Sequence, residues 1–173
     1  MPFAYYDRLT RSQQRVYRQS DDIASIPIPR GADLRSLVEA VAEGLAAGDR
    51  AKLQTAADRL LAEIAGRLRV PPLRTQVLSV RPSRSWGELH GLYNGASARR
   101  VARVSVWMRT ARRHDVVKFR TFLRTLLHEL CHHLDYEFLA LPDSFHTQGF
   151  YKRESSLLRQ LLPAAEGAGS LHD

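Results

Sequence analysis

TLLHELCHHL, residues 125–134, places His128 and His132 four positions apart, with Glu129 directly after the first. Residues four apart on a helix stand one turn above each other, so this HExxH spacing sets two imidazoles side by side. The surrounding sequence supplies the helix. From Val116 onward, Phe119, Phe122, Leu123, Leu126, Leu127, Leu130 and Leu134 recur at helical period. At about 100° per residue, with His128 at zero, His132 falls near 40° while the apolar set spans roughly 120 to 260°. The histidines therefore face away from the core stripe, where a cleft can lie. Random placement of the residues of this chain gives the pattern in about one such sequence in a hundred, so the helical context carries the weight.

A catalytic zinc site takes three protein ligands and keeps one position open. Cys131 is the only cysteine, which excludes an internal disulfide and any multi-cysteine metal site, so the third ligand must be a histidine or a carboxylate. The segment LPDSFHTQGFYKRE, residues 141–154, offers His146, with Pro142 ending the helix so that the chain can turn back. Glu154 is the alternative; His146 is preferred. In this reading neutral imidazoles of His128, His132 and His146 hold Zn²⁺, which lowers the pKa of its water towards about 7. Glu129 flanks the metal and serves as general base. Asp135 reads either as an outer partner of a ligand imidazole or as a capping or surface carboxylate. His133 reads as a hydrogen-bonded structural histidine and Cys131 as a small apolar residue. His90 and Tyr93 are candidates for stabilising an oxyanion, and Trp86, Trp107, Phe150 and Tyr151 read as core.

The first half of the chain reads helical. Thr10 with Gln13 forms a capping-box pattern. After the Pro27, Pro29 and Gly31 break, Asp33 is expected to cap LRSLVEAVAEGLAAG, and Gly48 and Asp49 separate it from a second amphipathic helix, RAKLQTAADRLLAEIAGRLRV, stopped by Pro71 and Pro72. The two predict a helical hairpin. The period then changes: TQVLSVR (75–81) and ARVSVWM (102–108) alternate and are rich in β-branched residues, with turn residues between them. The helical period returns from Val116, and a last helix spans about 147–162. The expected organisation is an N-terminal helical region over 1–72 packed on a core over 73–163, with a disordered tail over 164–173, making one compact domain overall.

Composition bounds the setting. In 173 residues, 44% hydrophobic and 25% charged, no stretch reaches the roughly 18 to 20 unbroken apolar residues of a membrane span, and the opening residues lack a signal-peptide core. A cytoplasmic protein without a membrane partner is expected. The net charge of +8 allows a nucleic-acid partner, with Arg99, Arg100, Arg103, Arg109, Arg112 and Arg113 the densest group. Against that, 23 of the 26 basic residues are arginine, scattered from Arg8 to Arg159, and a solvated basic face accounts for them.

LLHELCHH (126–133) and His146, followed four residues on by Phe150, resemble the SprT-like zinc metallopeptidases, small members of the zincin superfamily, whose second segment carries an H-G-x-x-W pattern. HGLYNGASARRVARVSVWM (90–108) resembles the strand that precedes their helix and borders the cleft. The resemblance covers roughly residues 86–162. It implies a zincin-like α+β fold: a small antiparallel or mixed sheet with the HExxH helix against it, Zn²⁺ as cofactor and a protein or peptide as substrate. An extended substrate is expected to add a strand along the edge strand 102–108. Two other classes stay open: a non-catalytic, zinc-stabilised protein- or DNA-binding module on the same scaffold, and a metal-free helical interaction protein.

Overall fold

The computed structural model describes residues 1–85 and 87–163; Trp86 and the expected tail over 164–173 lie outside them. In chain order the elements are α1 (Arg11–Asp21), α2 (Arg35–Ala46), α3 (Arg50–Leu68), β1 (Leu73–Val80), β2 (Ser83–Arg84), β3 (Gly87–Glu88), β4 (Gly91–Asn94), β5 (Ala102–Arg109), α4 (Phe119–Glu137) and α5 (Gln148–Leu161), with short 3₁₀ turns at Ala4–Arg8 and Gly31–Leu34. The fold is α+β, with five α-helices and a small mixed sheet. Two helix starts follow directly from the sequence. Thr10 and Gln13 form a reciprocal capping box at α1, and Asp49 accepts from the Lys52 amide at 3.0 Å to open α3. Asp33 does not cap α2. The buried Leu34 draws the chain through a 3₁₀ turn, Leu34 takes the cap position without a side-chain bond, and Asp33 pairs with Arg30 at the surface instead.

α2 and α3 form the hairpin that the two apolar periods predict. They approach so closely at Gly44 that a Cβ there would stand 2.9 Å from the Leu53 Cα and amide nitrogen. The main sheet has the order β1-β5-β4, parallel between β1 and β5 and antiparallel between β5 and β4. This overturns the reading of 102–108 as the edge strand. β5 is central: Val104, Ser105, Val106, Trp107 and Met108 are all buried, and both its sides are paired. A strand covered on two sides reads as a near-continuous apolar run, and the edge is instead β4, residues 91–94. The α4 helix starts at Phe119, three residues later than its period suggests, because Val116 is bridged to Arg109.

One apolar core joins the segments before and after residue 72. Leu34, Val41, Leu53 and Ile64 from the hairpin share it with Val104 and Val106 of β5, Leu126 and Leu130 of α4, and Leu157 of α5. The α4 helix is therefore fixed along its whole apolar face, which determines where its opposite face points. α1 packs on α5, and Gly149 is the contact: a Cβ there would lie 2.5 Å from the Asp21 carbonyl oxygen. No helix among the described residues is long and apolar enough to cross a membrane.

Candidate metal centre

His128 and His132 stand on successive turns of α4, and their rings meet edge to face with centroids 5.2 Å apart. The chain leaves α4 after Glu137, turns through Ala140 in the left-handed region (φ 52°), and re-enters a helix at α5. Thr147 caps that helix, its hydroxyl accepting from the Phe150 amide at 2.9 Å, so His146 is held immediately ahead of a fixed helix start. The Nε2 atom of His146 lies 3.0 Å from Nε2 of both His128 and His132. Phe150, fully buried, lies beneath all three imidazoles, with its centroid 4.9, 4.8 and 5.0 Å from those of His128, His132 and His146.

The outward nitrogens of the two α4 histidines are also engaged. His128 Nδ1 is 2.8 Å from the Glu154 carboxylate, which also accepts from Arg124 at 2.6 Å. His132 Nδ1 is 2.7 Å from the Ser144 hydroxyl, which donates to Asp135 at 2.8 Å. Asp135 in turn accepts from Arg153 at 2.9 Å, with both side chains fully buried. These acceptors assign the ring proton to Nδ1 in both histidines, and Nε2 is left with a free lone pair. His146 can donate to only one of them, so lone pairs face each other without a proton between them. A cation relieves that arrangement. Zinc–nitrogen bonds of about 2.0–2.1 Å in a tetrahedron set ligand nitrogens roughly 3.3 Å apart, close to the separations found. His128, His132 and His146 lie close enough to hold a metal ion.

Comparison with protein-family models, with curated proteins and with solved structures finds no match. The chemistry is therefore read from the geometry. Burial, reinforced by His146 and His128, lowers the pKa of His132 to about 3, and burial likewise lowers that of His146. Both are neutral at ordinary pH, the state a ligand imidazole needs. Burial alone would raise Glu154, but the hydrogen bonds from His128 and Arg124 outweigh it and hold its carboxyl below the ordinary range. Glu129 is buried beside the three histidines, and desolvation pushes its carboxyl up to about 7, with His128 opposing and Glu154 adding. Its packing partner is Gly91 of β4, where a Cβ would stand 2.5 Å from Glu129 Oε1. An open cleft of about 770 Å³ runs over these groups, between β4 on one side and the His146 turn with Tyr151 on the other.

The other residues singled out from the sequence divide. Glu154 sits at the outward nitrogen of His128 rather than among the converging Nε2 atoms. Asp135 is neither cap nor surface group; it reaches His132 through Ser144. His133 is buried, bonded to the Pro71 carbonyl at 2.9 Å and to the Tyr93 hydroxyl at 3.1 Å. That bond engages the Tyr93 hydroxyl with a buried structural partner; Tyr93 and His90 both line the cleft, His90 at an exposed position. Phe150 and Trp107 are buried, but Tyr151 is 42% exposed and forms cleft wall, not core. Cys131 is buried and its thiol pushed up by burial. Sequence reasoning missed Ser144, Arg124, Arg153 and Gly91. Only Ser144 left a signal, a hydroxyl two positions before His146, although the imidazole it supports is that of His132, twelve positions upstream.

Proposed function

We propose that the protein is a zinc-dependent peptidase of the SprT-like, zincin type, with His128, His132 and His146 as metal ligands and Glu129 as general base. The observation that carries this reading is the convergence of the Nε2 atoms of His128, His132 and His146 beside a buried carboxylate at the floor of an open cleft. A zinc ion held there supplies Lewis acidity toward a peptide carbonyl and an acidified water.

The residues of the chain do the rest. Glu129 takes the proton of the attacking water at its carboxylate and delivers it to the leaving amine, a task suited to a group titrating near neutral pH. Gly91 lets the β4 backbone approach that carboxylate, so a scissile bond laid along β4 passes beside the base. The unpaired side of β4 borders the cleft and offers main-chain groups to an extended segment, which fits a protein or peptide substrate.

The test is Glu129→Gln in untagged protein. Zinc is expected to remain at one ion per chain while hydrolysis of an unfolded protein substrate falls by about 10² to 10⁴. Undiminished cleavage would exclude the assigned base. Loss of zinc on His128→Ala with no cleavage by the parent protein would favour the non-catalytic module.

A further inference from the structure

We infer that Ser144, Asp135 and Arg153 are positioning residues for His132, and that α1 is the anchor of this relay, which makes the N-terminal region part of the metal centre. The inference rests on the zinc reading above and deepens it. The two α4 ligands are supported differently. His128 meets a carboxylate directly, whereas His132 meets a hydroxyl that passes the hydrogen bond on to a fully buried carboxylate. A serine Oγ that donates to Asp135 has only its lone pairs left for His132, so the imidazole must carry its proton on Nδ1. The metal-facing nitrogen is thereby kept free.

Arg153 fixes the far end. Its Nη atoms donate to Asp135 at 2.9 Å, to the Ser20 carbonyl and Ser20 Oγ at 2.6 and 2.8 Å, and to the Ile23 carbonyl at 2.6 Å. Ser20 belongs to the last turn of α1 and Ile23 lies two residues beyond the helix, so Arg153 ties down the chain where α1 ends. Four bonds through its two Nη atoms hold this buried guanidinium, whose Nε has no partner, and they orient Asp135.

Zinc affinity by chelator competition, together with the visible spectrum of the Co²⁺-loaded protein, tests this in Ser144→Ala and Ser144→Thr. Both variants keep the Arg153–Asp135 ion pair, but Ser144→Ala takes a hydrogen bond from buried Asp135, so the melting temperature of the chelated protein is expected to fall by about 2–4 °C and to recover in Ser144→Thr. Ser144→Ala should weaken zinc binding about 10- to 100-fold and alter the Co²⁺ bands, and Ser144→Thr, which keeps the hydroxyl, should restore both. Adding Asp135→Asn to Ser144→Ala should cost no further affinity, since the groups act in series. Parent protein that binds zinc with Ser144→Ala equally tight overturns the relay alone, as does a threonine that fails to rescue. Parent protein that binds no zinc overturns the peptidase reading as well.

Discussion

Gly91 and Glu129 show how one missing methyl shapes the site. A Cβ at position 91 would meet Glu129 Oε1 at 2.5 Å and both Glu129 Cγ and Thr125 Cγ2 at 2.9 Å. Gly91→Ala is expected to displace the carboxylate, lowering kcat by on the order of 10² at a stability cost of about 1–3 kcal/mol. Zinc content should be unaffected, and peptidase assays beside metal analysis check both. The titrating groups make a second prediction. In metal-free protein His132 falls from the ordinary 6.5 to about 3. The unfolded chain thus takes up a proton that the folded chain refuses, and stability present above about pH 6.5 is lost as the pH falls towards 3. His133 and His146 share that sign. Glu129, raised from 4.5 to about 7, has the opposite one: its contribution is lost as the pH rises through 7. Asp135 shares the sign of Glu129, so the test is a difference: on acidification from pH 7 to 4.5 the urea midpoint of the chelated parent is expected to lose more than that of His132→Asn. An equal loss in the two would show that His132 is not its source.

Among the elements, α1 and α5 dock reciprocally. Asp21 of α1 accepts from the Gly149 amide at 2.8 Å, while Arg153 of α5 caps the carbonyls at the end of α1. Gly149→Ala would force the Ser20 and Asp21 main chain away, and is expected to cost about 1–3 kcal/mol. At roughly 2–4 °C per kcal/mol for a chain of this size, thermal melting should fall by several degrees. What the sequence made legible at this scale was each element whose side chains carry its own signal. The α4 period, the alternation in β1 and β5, the cap at Thr10 and the break at Gly48 and Asp49 are local properties. The position of β5 was not legible, because the alternating run 102–108 looks the same at an edge or in the middle; pairing with β1 and β4 decides it. The same applies within the site. His128 and His132 announce themselves through helical spacing, and a proline break suggested His146. Asp135 gave only an angle, and Arg153 gave nothing until α1 was in place beside it.

For the whole molecule, the apolar core runs from Ile26 to Leu161 and includes none of the three histidines, which rest on it through Phe150. Removing metal is therefore expected to leave the fold standing, unlike small domains that fold only around zinc. Binding to the native state alone stabilises by about 2.7 kcal/mol at a free zinc concentration 100-fold above Kd. Chelation should accordingly lower the melting temperature by roughly 5–10 °C with the far-ultraviolet circular dichroism of the native protein retained at 25 °C. Collapse of the helical signal on chelation would contradict a metal-independent core. The bond from the Tyr5 hydroxyl to the His146 carbonyl, at 2.8 Å, spans 141 positions of the chain. If the trio holds the proposed ion, its capture would require both ends of this tie, because His146 meets His128 and His132 from the turn that leads into α5, beside the N-terminal segment.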